Sequence, residues 1–508
     1  MPTPSIASPA RTQVDVRRWY DSTLLQVVVL TLTFTTAAAS ELLHLNALTD
    51  SDLWWHLSTG SWILQNHAIP RSAIFSQFAS LPWVDSSWGF DVLTGLCMRI
   101  WGLSGLPVLL MLLQVAIAIA IFTLAGGRRN FWPAVILSAL AQFSISPVSP
   151  RPAMCSLVLL ACELTLLLKA RRTGDTRSLF WLPLVFVIWV NLDRQFSYGL
   201  VALALFWIAV IIEQLGRRQG ITWFETGLPD IPIATTSAAV GASLLATILS
   251  PYGYRSYLPV WLSATNSATD RFFPELHSMR FRRPQDYLLM LLVMTAFFAL
   301  GRRRSRDLFL ISLLAISAVV SFRFQRENWL VLVAAVSAIG NAIPAATTAA
   351  AETTQKLRLQ KLTTAALVFL VLVMLVLRLP GKNDVHSGEA LLLKIARTFP
   401  ISAADYIRQN HLPQPLFNSY AWGGFLTWAL PEYPVLIDGR TDLYGDAINL
   451  PYFEATTAAI PLQSYAGFAQ AKTILLEANS PMGEALSTLP GFRVAYKDGQ
   501  VVVLVRGN

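Results

Sequence analysis

Two carboxylates and an imidazole sit close together in Asp50-Ser51-Asp52-Leu53-Trp54-Trp55-His56. A carboxylate in such a group can take a proton from a hydroxyl, or hold a divalent cation such as Mg or Mn. A plainer role is also open: Asp is a favoured N-cap, and a helix starting at Leu53 would take Asp50 or Asp52 as its cap. His56 can act with the carboxylates or serve as a hydrogen-bonded interfacial histidine. One residue can do both jobs.

Arginine supplies the second signal. Arg151, Arg194, Arg323 and Arg326 lie in very short segments between apolar runs, and Arg255, Arg280, Arg282 and Arg283 in a longer one. Guanidinium groups among apolar segments suit a phosphate held by paired hydrogen bonds, or ion pairs with Asp193, Glu275 and Glu327. Near the C-terminus, Phe417 to Leu426, with Trp422 at its centre, leads to Asp438-Gly439-Arg440-Thr441-Asp442. Asp438 and Arg440 at the end of an apolar strand suit a sugar-like ligand or an internal structural pair. No phosphate-binding Gly-rich loop, nucleophile elbow or His-Glu zinc helix occurs in the sequence.

The elements that must position these residues follow from composition. Of 508 residues, 54% are hydrophobic and 14% charged, against about 25% charged in soluble domains. Runs of bilayer-spanning length recur through the first 380 positions. They predict eleven spans, near 23–45, 105–125, 131–148, 154–169, 179–193, 198–215, 233–250, 286–301, 308–322, 328–343 and 362–379. The first run is too long for a secretory signal and reads as an uncleaved span.

The net charge of +9 does not point to nucleic acid, because the basic residues cluster between apolar runs. Arg17/Arg18, Arg128/Arg129, Lys169 with Arg171/Arg172/Arg177, Arg217/Arg218, Arg302/Arg303/Arg304/Arg306 and Lys356/Arg358/Lys361 fall at alternate loops. A cytoplasmic N-terminus puts every cluster inside, and everything after residue 380 outside. Cys97, Cys155 and Cys162 form neither a disulfide framework nor a zinc spacing.

The sequence thus divides into an all-α polytopic transmembrane bundle over 1–380 and an extracytoplasmic α/β domain over 381–508. Long outer loops cover 46–104 and 251–285. The tryptophans of the first loop suit short helices in the membrane interface or aromatic packing against the bundle. In the terminal domain, helices are expected at 388–398 and 402–410. Strands are expected at 434–437, 473–476, 492–496 and 501–505, the last two joined by a hairpin at Asp498-Gly499.

The acidic pair after the first span, followed by Trp54-Trp55-His56-Leu57-Ser58-Thr59-Gly60 and Trp62-Ile63-Leu64, resembles the first-loop signature of GT-C fold glycosyltransferases. That superfamily includes the oligosaccharyltransferase catalytic subunit, the protein O-mannosyltransferases and the lipid A aminoarabinose transferases. The nearest likeness is to bacterial polytopic proteins with an Asp-Pro-Asp-Leu-Trp-Trp-His segment, a Trp-x-Asn segment and a terminal Trp-Gly-Gly…Asp-Gly-Arg domain. Trp189-Val190-Asn191, Ser250-Pro251-Tyr252-Gly253 and Trp422 to Tyr444 match that pattern. Ser51 replaces the proline, Leu192-Asp193-Arg194-Gln195 stands where relatives carry His-Gly, and 73–76 lacks an expected acidic residue.

The resemblance implies a membrane glycosyltransferase with a polyprenyl-phosphate sugar donor and a glycan, lipid or protein acceptor, at the outer face of the plasma (inner) membrane. It assigns the base to Asp52 or Asp50, with His56 beside them, and donor phosphate binding to Arg255, Arg280, Arg282, Arg323 and Arg326. Trp54, Trp55, Asn191, Arg194, Trp422, Asp438 and Arg440 are candidate substrate contacts. A binding or scaffold protein that kept the fold and lost catalysis is the main alternative. A lipid-linked sugar transporter is weaker, since Glu163 is the one ionisable residue near mid-span and no internal repeat is evident. The topology predicts that cysteines at Ser178 and Ser305 are shielded from impermeant thiol reagents in intact cells, while one at Ser487 is labelled. Uniform labelling of all three, or of none, would contradict the span count.

Overall fold

A computed structural model describes residues 23–44, 46–145, 148–221, 228–265, 270–302, 306–343 and 385–507. The apolar runs up to residue 343 are helical: α1 (Thr23–His44), α4 (Gly105–Leu124), α5 (Phe131–Ser144), α6 (Pro152–Thr173), α7 (Leu182–Leu192), α8 (Phe196–Arg218), α9 (Ile233–Ala246), α11 (Pro284–Arg302), α12 (Leu308–Arg323) and α13 (Asn328–Ala342). The run at 362–379 lies outside the described residues. Helix α6 shows how sequence sets the ends. Pro152 opens it, where a missing N–H costs nothing, and Gly174 closes it in a left-handed conformation (φ 70°).

Among the described residues, four helical stretches are long and apolar enough to cross a membrane: Trp88–Leu124, Pro152–Thr173, Phe196–Arg218 and Pro284–Arg302. Helix α13 is buried continuously from Trp329 to Gly340, which explains why its sequence is apolar all round. Gly340 lies so close to the Ala125 backbone that a β-carbon would collide with it. Leu245, Phe298 and Val319 project from the outside of the bundle, where hydrocarbon rather than water would accept them. Arg171 serves more than topology. Buried, it pairs with Glu213 at 2.6 Å and Asp307 at 2.9 Å, tying α6, α8 and the start of α12 together.

The first long loop folds into two helices, α2 (Ser51–Asn66) and α3 (Trp88–Trp101), which pack on each other. The second contains the short α10 (Leu258–Thr265). The C-terminal region contains α14 (Val385–Ala396), α15 (Ile401–Gln409), β1 (Leu416–Asn418), α16 (Tyr420–Ala429), α17 (Thr441–Thr456), β2 (Thr473–Glu477), α18 (Pro481–Thr488), β3 (Phe492–Lys497) and β4 (Val501–Arg506). The sheet order is β1-β2-β4-β3, with β1 parallel to β2 and the other pairings antiparallel. β4 lies between two strands and is buried along most of its length, so it reads Val-Val-Val-Leu-Val instead of alternating.

The expected strand at 434–437 is not a ladder strand, and β1 takes its place. Pro434 has no N–H to give. Val435 instead exchanges backbone bonds with Phe75 and Gln77 of the first loop, while Asn418 binds Leu436 N–H and Ile437 C=O through its side chain. The C-terminal region therefore reaches into the first loop.

Helix α16 sits directly on α2. The Trp54 indole is enclosed by Phe399, Phe425 and Trp428 at centroid distances of 5.9, 5.3 and 4.7 Å. Thr427 donates to Ser58 Oγ at 2.9 Å. Gly424 faces the Ser51 carbonyl so closely that a β-carbon would overlap it. Ser178 is buried in this structure, so the exposed Arg177 and Glu484 report sidedness better than Ser178 and Ser487; Ser305 lies outside the described residues. Gly424→Ala meets backbone that cannot swing aside, and should raise amide exchange in 51–66 and 420–429 at least several-fold while α13 keeps its protection. Unchanged exchange in both segments would show that the α2–α16 contact does not depend on this glycine.

Candidate functional site

The two first-loop carboxylates differ by their position on the turn that starts α2. Asp50 is the N-cap: its Oδ1 accepts from Asp52 N–H at 2.9 Å, and its Oδ2 accepts from Arg151 Nε at 3.0 Å. Asp52, one step inside the helix, turns into a pocket, with its Oδ2 3.3 Å from Arg151 Nη2. On its other side the carboxylate lies against Gly439, where a β-carbon would strike it. Burial pushes the Asp52 carboxyl up to about 6, with Arg151 pulling the other way and Asp50 and Glu275 adding to the rise.

His56 lies one helical turn further along the same face, and Asp91 of α3 holds its Nδ1 at 2.6 Å. Burial and the nearby guanidinium groups keep the ring neutral. With Nδ1 committed, Nε2 is the ring nitrogen left for the pocket that His56 lines. The loop between α2 and α3 adds Asp85, whose Oδ1 accepts from Ser87 N–H at 3.1 Å and from its hydroxyl at 3.2 Å. Burial raises the Asp85 carboxyl to about 6. Oδ2 of Asp85 and Oδ2 of Asp91 are both buried with no donor, and the two side chains are hydrogen-bonding neighbours. Two such carboxyls satisfy each other by sharing a proton.

The bundle contributes the cations. Arg151 precedes Pro152 at the start of α6, Arg194 lies between α7 and α8, and Arg326 lies between α12 and α13. Arg151 and Arg326 meet Glu275 of the second long loop at 3.2 and 3.4 Å. Arg194 approaches Asp442 at 3.7 Å. From the C-terminal side Arg440 lies over the Trp83 ring at 4.8 Å and donates to the Ile74 carbonyl at 3.0 Å.

Of the residues singled out from sequence, the fold brings Asp52, Trp55, His56, Arg194, Arg326 and Arg440 to this pocket. Asp50 abuts it through Arg151. Arg280, Arg282 and Arg323 do not line it and stand exposed on the surface: Arg280 reaches His277 at 3.3 Å, and Arg323 covers the Phe324 ring at 4.9 Å. Arg255 lines a separate cavity.

Four aromatic and polar candidates are engaged in contacts within the fold. Trp54 and Trp422 are buried in the contact between α2 and the C-terminal region. Asn191 accepts from Trp88 Nε1 at 2.9 Å and donates to the carbonyls of Val187 and Leu249, which commits both of its N–H groups. Asp438 is completely buried, receiving Arg440 Nη2 at 2.6 Å and the Tyr444 hydroxyl at 2.9 Å. That is the internal pair the sequence allowed. Asp85, Asp91 and Arg151 were not placed in the site by sequence reasoning, although Arg151 was singled out as an arginine of the outer loops. The only sequence signal for Asp85 is that it is the one carboxylate in the loop 67–87, beside Trp83, Ser86 and Ser87.

No group of three or more His, Cys, Asp or Glu side chains suited to a metal ion occurs among the described residues. Arg151 already neutralises Asp52. A divalent cation has no ligand set at this pocket among the described residues.

The fold is similar to two solved membrane glycosyltransferases. One is the oligosaccharyltransferase of Archaeoglobus fulgidus in its apo form (TM-score 0.51, 12% identity, covering 90% of this chain and 70% of that one). The other is ArnT from Cupriavidus metallidurans bound to undecaprenyl phosphate (TM-score 0.50, 12% identity, covering 96% and 98%). No family model and no curated protein matches the sequence. The chain resembles the GT-C fold glycosyltransferases, as its first-loop signature suggests, and is a mostly helical membrane protein with a small C-terminal sheet.

The raised Asp85 carboxyl has a consequence for stability. Ionisation is harder in the folded than in the unfolded chain, so its contribution is full below about pH 4 and is lost as pH rises to about 6. Asp85→Asn keeps the acceptor for Ser87 and carries no charge. The variant should match wild-type melting at pH 4 and exceed it by roughly 1–3 kcal/mol at pH 7.5. A variant less stable at pH 7.5 would mean that Asp85 is held as a stabilised carboxylate.

Proposed function

We propose that this chain is a glycosyltransferase of the GT-C type, transferring a sugar from a polyprenyl-phosphate donor to an acceptor hydroxyl at the extracytoplasmic face of the plasma membrane. The observation that carries the reading is the convergence in one pocket of the Asp52 carboxylate with the guanidinium groups of Arg151, Arg194 and Arg326. A base and a phosphate clamp in one small space suit displacement of a lipid phosphate by a hydroxyl.

In this reading the acceptor oxygen attacks the anomeric carbon as Asp52 takes its proton. The bond from anomeric carbon to phosphate oxygen breaks, and its electron pair leaves with the lipid phosphate, whose developing charge meets Arg326 and Arg194. One in-line displacement inverts the anomeric centre. Arg151 holds Asp52 in place and lowers the cost of its charge. A carboxyl that ionises near pH 6 gives a rate that rises through that pH and is flat above it.

Helix direction supports the sidedness. α6 and α8 begin at the pocket and end at Arg171/Arg172 and Arg217/Arg218, so a pocket outside puts those basic clusters inside. Combined with the eleven spans expected from sequence, this sidedness would put the N-terminus in the cytoplasm and the unit over 381–508 outside.

His56 is a second proton acceptor to weigh, because buried Asp91 fixes its Nδ1 as the orienting carboxylate does in a His–Asp pair. Single variants separate the two. Asp52→Asn keeps the shape of the side chain, and should lower turnover roughly 10²- to 10⁴-fold with lipid-phosphate binding retained. His56→Gln should cost less. Gly439→Ala should also slow turnover, since the new methyl displaces the Asp52 carboxylate without removing it. The measurement is transfer of radiolabelled sugar from the membrane lipid pool into envelope polymer. Full activity in Asp52→Asn with loss in His56→Gln would move the base to His56. Full activity in both, and in Asp50→Asn, would leave a binding or scaffold protein.

A further inference from the structure

A second cavity, of about 560 Å³, lies beside the Asp52 pocket, which holds only about 90 Å³. Three parts of the chain enclose it: the first loop at Arg71 and Pro82–Val84, the segment Tyr252–Leu262 including the start of α10, and Asp442-Leu443 at the head of α17. Trp83 and Asp442 line both spaces, so a ligand seated in the larger one abuts the pocket.

The lining is aromatic and aliphatic with two cations. Arg71 lies 5.8 Å from the Tyr252 ring centre and donates to the Pro251 carbonyl at 3.4 Å, while Tyr252 donates to the Pro70 carbonyl at 2.7 Å. These contacts tie the first loop to the second. Neither Arg71 nor Arg255 has a carboxylate partner among the described residues, whereas Asp442 is matched by Arg194. Tyr254 and Trp261 at the cavity are 74% and 67% exposed, an open apolar face at the end of the bundle where α9 stops. Net positive charge over an apolar, ring-lined surface complements an anionic amphiphile.

We propose that this cavity is the acceptor site, and that it takes a lipid-anchored acceptor carrying a phosphate or carboxylate group, which Arg71 and Arg255 hold while Trp261 and Tyr254 cover its apolar part. The inference rests on the glycosyltransferase reading for the word acceptor; the ligand class rests on the cavity alone.

The test separates the two. Full-length protein in detergent is titrated, with native mass spectrometry as the readout, against short-chain phosphatidylglycerol, short-chain phosphatidylcholine and soluble glucuronate. The expected result is saturable binding of phosphatidylglycerol, with the other two weaker. Arg71→Gln/Arg255→Gln should weaken the phosphatidylglycerol site roughly 10- to 150-fold, the effect of losing hydrogen bonds to a charged group, and Asp52→Asn should leave it unchanged. Equal binding of the two lipids, or binding unaffected by the double variant, would overturn the anionic site. Preference for glucuronate over both lipids would overturn the lipid anchor. In the transfer assay the double variant should raise the acceptor KM about tenfold or more with kcat and polyprenyl-phosphate binding unaltered. A lowered kcat at constant KM would overturn the acceptor assignment. Loss of the glycosyltransferase reading would show instead as undiminished transfer in Asp52→Asn, His56→Gln and Asp50→Asn alike, with the binding results standing.

Discussion

The Asp52 carboxylate is held between a guanidinium and a glycine backbone, and much of the architecture serves that contact. Arg151 comes from the head of a bundle helix and neutralises the charge. Gly439 comes from the C-terminal region and closes the opposite side. A carboxylate taken out of water costs several kcal/mol unless it is paired, so the helix carrying it, the bundle and the C-terminal unit must arrive together. Gly424 and Gly439 permit this approach, since a β-carbon at either would run into Ser51 or Asp52, while Gly423 allows the close packing of Ile437 behind them.

The same rule governs the rest of the pocket. Arginines and carboxylates alternate around it: Arg151 with Asp50, Asp52 and Glu275, Arg326 with Glu275, Arg194 with Asp442, Arg440 with Asp438. Such sharing leaves guanidinium groups partly committed and able to turn toward an added anion. His56, Asp91 and Asp85 form a non-cationic counterpart on the other wall, where burial is met by proton sharing instead of ion pairing with arginine. The pocket is thereby divided into a cationic side, suited to a leaving phosphate, and an acid–imidazole side suited to handling a proton.

Much of the fold was legible because the bilayer imposes a simple rule on sequence. Runs such as 105–125 and 198–215 must be helical when they are apolar and too long for strands, and they are. The Asp498-Gly499 hairpin was legible from turn chemistry. The site was legible only in part. Asp50 and Asp52 are both near a helix start, and two residues of helical rotation decide which one caps and which one faces the pocket. Asp91 carries no spacing signal, because its partner His56 lies on another helix, and Asp85 meets Asp91 rather than His56. Arg280, Arg282 and Arg323 share their sequence context with Arg326, yet local sequence does not set which way a loop side chain faces. Trp54, Trp422 and Asn191 are placed by tertiary packing: the first two mark the contact of α2 with the C-terminal region, and Asn191 joins α7 to Trp88 at the head of α3.

The central claim is that the Asp52 pocket receives the phosphate of a lipid-linked sugar. A density map of the full chain with bound polyprenyl phosphate tests it most directly. The account predicts phosphate density within hydrogen-bonding distance of Arg326 and of Arg194 or Arg151, beside the Asp52 carboxylate. Phosphate density confined to the exposed surface at Arg280 and Arg282, with Arg151, Arg194 and Arg326 still paired only to carboxylates of the chain, would contradict it.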